Sequence, residues 1–218
     1  MDPIRRSLVA AGALGALGFR GIAQSQSQPA AGKDFSIHDP ALPVEPDGKI
    51  EVVEFFWYGC IYCYNLEPAL EAWIRTLPPD VAVRRVPAVF NQRWAHDAVI
   101  FYALEAIGVL ERLHWPLFQA IHGSRLNTTN ERAFTEWLRA QGADEKAFGD
   151  AYRSDGVRDK LQRAVQLTAG YRIEGTPSLA VHGRYSISAD QGGSARGMFA
   201  TAEHLVAEVR KARNAAGK

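Results

Sequence analysis

Ile50-Glu51-Val52-Val53-Glu54-Phe55-Phe56-Trp57, then Tyr58-Gly59, then Cys60-Ile61-Tyr62-Cys63, is the stretch that decides the fold. Its first eight residues are apolar, β-branched or aromatic apart from two glutamates, the texture of a strand buried on both faces. The residues after Cys63 are helical: Leu66, Ala69, Leu70, Trp73, Ile74 and Leu77 recur at i, i+3, i+4, i+7, i+8 and i+11. Pro68 lies inside this helix and Pro78-Pro79-Asp80 ends it. A CxxC pair between strand and helix puts its first sulfur at a helix N-terminus. There the unpaired N–H groups and the macrodipole favour thiolate over thiol, and thiolate is the form that attacks disulfides.

Cys60 and Cys63 are the only cysteines in 218 residues. Zinc needs three or four ligands and no further CxxC or His pair supplies them. Covalent haem attachment needs His after the second cysteine, and residue 64 is Tyr. A purely structural disulfide across so short a loop would restrict the unfolded chain little. Reversible thiol–disulfide exchange is the reading that fits, with Cys60 as the exposed attacking thiolate and Cys63 as the buried resolving thiol. Ile61 and Tyr62, between them, tune the thiolate. Neither metal nor any other cofactor is expected.

Working outward, Val81 to Val89 reads as a second core strand, parallel to the first through a right-handed crossover. From 92 to 170 only helical periodicity is found: Ala95 to Ile107, Leu110 to His122, Glu131 to Ala140 behind a Thr128-Thr129-Asn130-Glu131 capping box, a turn or two after Asp144, and Ser154 to Ala169 closed by Gly170. Ser178 to His182 and Arg184 to Ile187 form a hairpin across His182-Gly183. A Gly/Ser-rich loop from Ser188 to Gly197 precedes a last helix with Met198, Phe199, Ala202, Leu205, Val206 and Val209 on one face. The order is βαβ, an all-helical block, then ββα.

Two residues outside the CxxC carry chemistry. Pro177, in Gly175-Thr176-Pro177-Ser178, follows the helical block and opens the hairpin, a place where the X–Pro bond can be cis. Glu54 is an acid in an apolar strand, six residues before Cys60. Buried, it would have a raised pKa and could exchange a proton with Cys63. His96, His114 and His122 have no metal spacing and are read as surface or capping residues.

Arg5 and Arg6 precede an apolar run from Leu8 to Phe19, and Gly21-Ile22-Ala23 supplies small residues for cleavage. The run, about 12 residues, is too short to span a bilayer. Residues 1–23 are read as an export signal, either twin-arginine or general secretory, and residues 24–34 as a mobile polar linker. The formal net charge of +1 becomes −1 when the signal, with its three arginines and one aspartate, is removed. Such balance argues against nucleic acid as a partner. Export would place the pair in an oxidising compartment.

Val53-Glu54-Phe55-Phe56-Trp57-Tyr58-Gly59-Cys60, the CxxC, Pro68, the all-α block and Gly175-Thr176-Pro177-Ser178 together resemble the DsbA family of periplasmic thiol:disulfide oxidoreductases, over about residues 35 to 213. The resemblance implies an α/β thioredoxin-like fold (35–91 and 171–213) interrupted by an inserted all-α domain (92–170). It implies a cis Pro177 beside the active disulfide, a Thr176 backbone offered to bound peptide, and Glu54 as the family's buried acid. It also implies folding exported proteins with free thiols as clients, reoxidation by a quinone-linked membrane partner of the DsbB type, and a monomeric periplasmic enzyme. A departure accompanies it: the family's dipeptide is Pro-His, and here it is Ile61-Tyr62. The family His helps stabilise the thiolate, and Tyr brings no positive charge, so a Cys60 pKa above the family norm and a less oxidising couple are expected. A reductase of the same fold, or a peptide-binding holdase with vestigial redox activity, are the other readings; no added dimerisation domain supports an isomerase.

Overall fold

The computed structural model describes residues 28–45 and 47–216; the export signal read at 1–23 lies outside them. Strand β1 (Ser36–Ile37) precedes β2 (Ile50–Phe56), helix α1 (Ile61–Ile74) and β3 (Val81–Pro87). Five helices follow: α2 (Gln92–Ala106), α3 (Leu110–His122), α4 (Glu131–Ala140), α5 (Glu145–Tyr152) and α6 (Asp155–Gly170). The chain returns to the sheet as β4 (Ser178–Val181) and β5 (Tyr185–Ser188), and ends with α7 (Ala189–Gly192) and α8 (Ala195–Ala216).

The sheet order is β1-β5-β4-β2-β3, with β2 and β3 parallel and the other pairs antiparallel. Strand β2 therefore sits between two neighbours, and every one of its residues is buried, Glu51 and Glu54 among them, as its nearly continuous apolar run leads one to expect. Its alternation divides the core. Ile50 and Val52 pack with Leu66, Leu70 and Trp73 of α1 and with Met198, Ala202 and Leu205 of α8. Val53 and Phe55 face the opposite cluster, with Phe101 and Leu104 of α2, Leu113 and Leu117 of α3, and Ala164 of α6. At roughly 1.5–3 kcal/mol for each large apolar side chain buried, these two layers fix how the helices sit on the sheet.

The β4–β5 hairpin turns on His182 (φ 49°) and Gly183 (φ 74°), both left-handed, as a two-residue turn between twisted strands demands. A Cβ on Gly183 would collide with the Leu42 carbonyl oxygen, so the close approach also requires glycine.

Several local expectations are corrected. Helix α4 is capped by Asn130, whose side chain accepts from the Ala133 N–H (3.1 Å), not by a Thr128–Glu131 box; the buried Thr128 hydroxyl donates to Asp97 Oδ1 at 2.7 Å. Gly170 lies within α6 against the Leu42 side chain, and the chain reverses at Arg172 (φ 49°). Strand β3 ends at Pro87, and the loop after β5 holds α7, opened by a Ser188–Gln191 capping box. Part of the segment read as a mobile linker forms a turn, with the Gly32 N–H donating to the Phe35 carbonyl at 2.7 Å. Among the described residues no helix is long and apolar enough to cross a membrane.

Candidate functional site

Cys60 is the N-cap of α1, with extended backbone (φ −85°, ψ 115°), and its sulfur accepts from the Cys63 N–H at 3.4 Å. One of the orphan donors of the first turn is thereby aimed at the sulfur. As a thiol, Cys60 also donates to the Thr176 carbonyl at 3.2 Å, across the cis Thr176–Pro177 peptide. The Gly175-Thr176-Pro177 turn thus meets the CxxC in space, from 116 residues away.

The two cysteines, both unbridged, differ in setting. Cys60 retains 9% of its surface and Cys63 only 1%, so Cys60 is more enclosed than the exposed thiolate expected from sequence. The Thr176–Pro177 turn lies against it. Its pKa is pushed down to about 5, first by the Cys63 thiol that hydrogen-bonds to it, against burial, and further by the N–H groups of Cys63 and Tyr62. Cys63 is driven the other way by burial first, then by the hydrogen bond to Cys60 and the charges of Cys60 and Glu54. Ile61 and Tyr62 face outward, Tyr62 with 71% of its surface exposed.

The chain leading into Cys60 is gripped by the helical block. The Trp57 indole N–H donates to Asp97 Oδ2 of α2 at 2.8 Å, and its ring stacks on Trp94 at 4.3 Å. The Tyr58 carbonyl accepts from His122 Nε2 of α3 at 2.8 Å, and the Tyr58 hydroxyl pairs with His114 Nδ1 at 2.8 Å. Tyr64, one residue past the CxxC, stacks between Trp115 and His122. The reading of the three histidines as surface or capping residues is therefore corrected: His114 is buried, and His96 and His122 are half-buried and hydrogen-bonded. The signal lies in the spacing, since His114, Phe118 and His122 fall at i, i+4 and i+8 on one face of α3.

Glu54 is fully buried. Arg85 of β3 lies beside it, Nε to Oε2 at 3.3 Å, and donates from Nη2 to Glu67 Oε1 of α1 at 2.7 Å and to Glu71 Oε1. Burial raises the Glu54 pKa to about 8, with the Glu67 and Glu71 charges adding to the rise and Arg85 opposing it. Glu67 and Arg85 join the site without having been singled out by the sequence. Their periodicity carries the hint: Glu67 lies one turn after Cys63 on the buried face of α1, and Arg85 continues the Val81/Val83 alternation of β3.

Against known proteins, the profile described as DSBA-like thioredoxin domain matches residues 84–200. The thiol:disulfide interchange protein DsbA of Azotobacter vinelandii is 38% identical, over 94% of this chain and 96% of that protein. The protein of the same name from Burkholderia cepacia is 37% identical, over 87% of this chain and 90% of its own length. The crystal structure of Pseudomonas aeruginosa DsbA superposes with a TM-score of 0.79 at 33% identity, covering 87% of this chain and 97% of that one. With relatives matched across almost their full length, and a thiol pair at the helix start of the same fold, the chain belongs to the DsbA family of thiol:disulfide oxidoreductases.

Proposed function

We propose that the protein is a net oxidant of the periplasm, passing the Cys60–Cys63 disulfide to exported proteins as they fold. The observation that carries this reading is the asymmetry of the pair: the sulfur with the favoured thiolate is the one with residual exposure, and the other is enclosed. A client thiolate attacks Cys60 Sγ, the Cys60–Cys63 bond breaks, and Cys63 leaves as a thiolate that takes up a proton. The mixed disulfide then yields to the second client thiolate, which attacks the client sulfur and expels Cys60 as thiolate. Two electrons have moved to the enzyme and the client has gained a disulfide.

Glu54 is proposed as the acid that supplies the Cys63 proton. Thr176 offers its backbone to the client beside Pro177, while Ile61 and Tyr62 form the exposed rim next to Cys60. A quinone-linked membrane oxidase of the DsbB type would return the enzyme to its disulfide form. The uncharged Ile61-Tyr62 dipeptide favours a second reading, a milder couple kept reduced by a membrane thiol donor.

Thiol alkylation of intact cells, read as a mass shift, separates the two. An oxidase is found mostly as disulfide, whereas a mostly dithiol enzyme overturns the proposed direction. Cys63→Ser is expected to accumulate Cys60-linked mixed disulfides with exported proteins: the Cys60 thiolate attacks a client disulfide and expels one client thiolate, and no Cys63 is there to displace the client. Cys60→Ser should accumulate none.

A further inference from the structure

The cluster beneath Cys63 holds more acid than base. Glu54 on β2 and Glu67 and Glu71 on α1 gather around the Arg85 guanidinium of β3, with Arg75 Nη1 3.8 Å from Glu71 at the solvent edge; His114 approaches from α3, and Tyr58 and Cys63 lie beside them. Glu71 also has Arg75 beside it, so the two buried carboxylates, Glu54 and Glu67, are left with Arg85 as their cation, and in a buried site one of them keeps its proton. Glu71 is partly in solvent, which leaves Glu54 and Glu67 as the contenders.

The contacts of these two differ. Glu67 Oε1 accepts from Arg85 Nη2 at 2.7 Å, and His114 Nε2 stands 3.6 Å from the same oxygen. Neither oxygen of Glu54 has a hydrogen-bond partner, because Arg85 Nε at 3.3 Å is poorly aligned. On the far side of the imidazole, Tyr58 OH is 2.8 Å from Nδ1. With the phenol donating to Nδ1, the ring proton sits on Nε2 and its N–H dipole faces Glu67. At 3.6 Å this is an electrostatic approach, not a hydrogen bond. Burial lowers the proton affinity of His114 despite Glu67, so the ring acts through its dipole and not as a cation. Burial presses Glu67 upward, and His114 and Arg85 pull it down; with the ring neutral, the Arg85 hydrogen bond and the Nε2–H dipole are what remain of that pull.

We propose that His114 is a positioning residue for the exchange reaction: oriented by the Tyr58 hydroxyl, it turns its Nε2–H toward Glu67, keeps that carboxylate ionised, and so leaves the shared proton on Glu54 beside Cys63. The inference rests on Glu54 as the acid of the Cys63 step. It adds that the choice of acid is made on α3, in the helical block. Tyr58, two residues before Cys60, links that choice to the active-site loop.

The test reads the proton directly. Carboxyl-carbon NMR of the reduced full-length protein, with the Glu54 signal assigned through Glu54→Gln, gives the Glu54 midpoint, expected near 8. In His114→Leu the midpoint should fall by about one pH unit, a tenfold loss of proton affinity of the kind a nearby polar group confers. His114→Gln, whose amide can accept from Tyr58 and donate toward Glu67, should restore it. In a Glu67→Gln background His114→Leu should have no further effect. An unmoved midpoint in His114→Leu, or an equal shift with Glu67→Gln present, overturns the proposal. Should His114→Leu not fold, Tyr58→Phe removes one oxygen and asks the same question; a smaller fall in the same direction supports the proposal and an unchanged midpoint overturns it. Client oxidation assays remain a separate readout, so failure of the Glu54 role in catalysis is distinguishable from failure of His114 to place the proton.

Discussion

Replacing Ile61 by proline and Tyr62 by histidine together is expected to make the Cys60–Cys63 couple more oxidising by about 20–45 mV. Across this fold the attacking cysteine has a pKa from about 7 in thioredoxin to about 3.5 in DsbA, values that belong to those two enzymes and not to this chain. Here the Cys60 pKa is about 5, reached with the Cys63 thiol and the helix N-terminus but without a nearby cation. Moving it to about 3.5 stabilises the reduced form by about 2 kcal/mol. For a two-electron couple that corresponds to about 45 mV, and solvent screening at the exposed residue 62 trims it toward the lower figure.

The backbone already suits the change. Residue 61 is the first of α1, where proline is tolerated because its N–H is an orphan, and that N–H is not among those stabilising the Cys60 thiolate. Proline restricts the preceding residue to extended backbone, which Cys60 adopts at φ −85° and ψ 115°. Equilibration with glutathione buffers checks the prediction. A double variant no more oxidising than the parent would mean that the dipeptide does not control the poise. Tyr62→His alone should deliver most of the shift, since the proline adds no charge.

The sequence exposes this chemistry because the CxxC, the strand before it and the helix after it are adjacent in the chain. Strand β2 announces itself by a nearly continuous apolar run, and β4 and β5 by the His182-Gly183 turn. The juxtaposition of Thr176-Pro177 with Cys60 is long-range, and no local periodicity encodes it; only the resemblance to the DsbA family anticipates it. Arg85 is legible only in part: it continues the Val81/Val83 alternation of β3, but its partners Glu67 and Glu71 lie on the next layer. His114 escapes a sequence reading for a related reason. A histidine at helical spacing is ambiguous between core and surface, and its Tyr58 partner lies 56 residues earlier. Helix caps are ambiguous where two candidates compete, as at Thr128 and Asn130, and tertiary demand on Thr128 by Asp97 decides the outcome. Charge partners across layers are thus the information that a single sequence leaves implicit.

Arg85→Met is expected to destabilise the reduced protein by about 3–5 kcal/mol near pH 8, the usual consequence of removing one partner from a buried charged set. Methionine fills similar space, so the loss measures charge more than cavity. Arg85 meets Glu54, Glu67 and Glu71 with only 16% of its side chain in solvent. Without it, burial and mutual repulsion raise the folded-state pKa of Glu54 further above about 8 and reverse the lowering at Glu67. Carboxylates with raised folded pKa bind more protons folded than unfolded, so stability falls as pH rises from the unfolded value of about 4.3 through the raised ones. The deficit of Arg85→Met should therefore be largest near pH 8 and shrink steadily toward pH 5, as Glu54 and Glu67 take up protons. Arg85→Lys should keep the charge but not the fork that serves two glutamates at once, and lose less. Urea unfolding of the reduced proteins at pH 8 and pH 5.5 measures both effects. A deficit that is small at pH 8, or that does not shrink on acidification, would mean that Arg85 is not what makes the buried acids tolerable, and that Glu54 and Glu67 are both neutral in the parent enzyme.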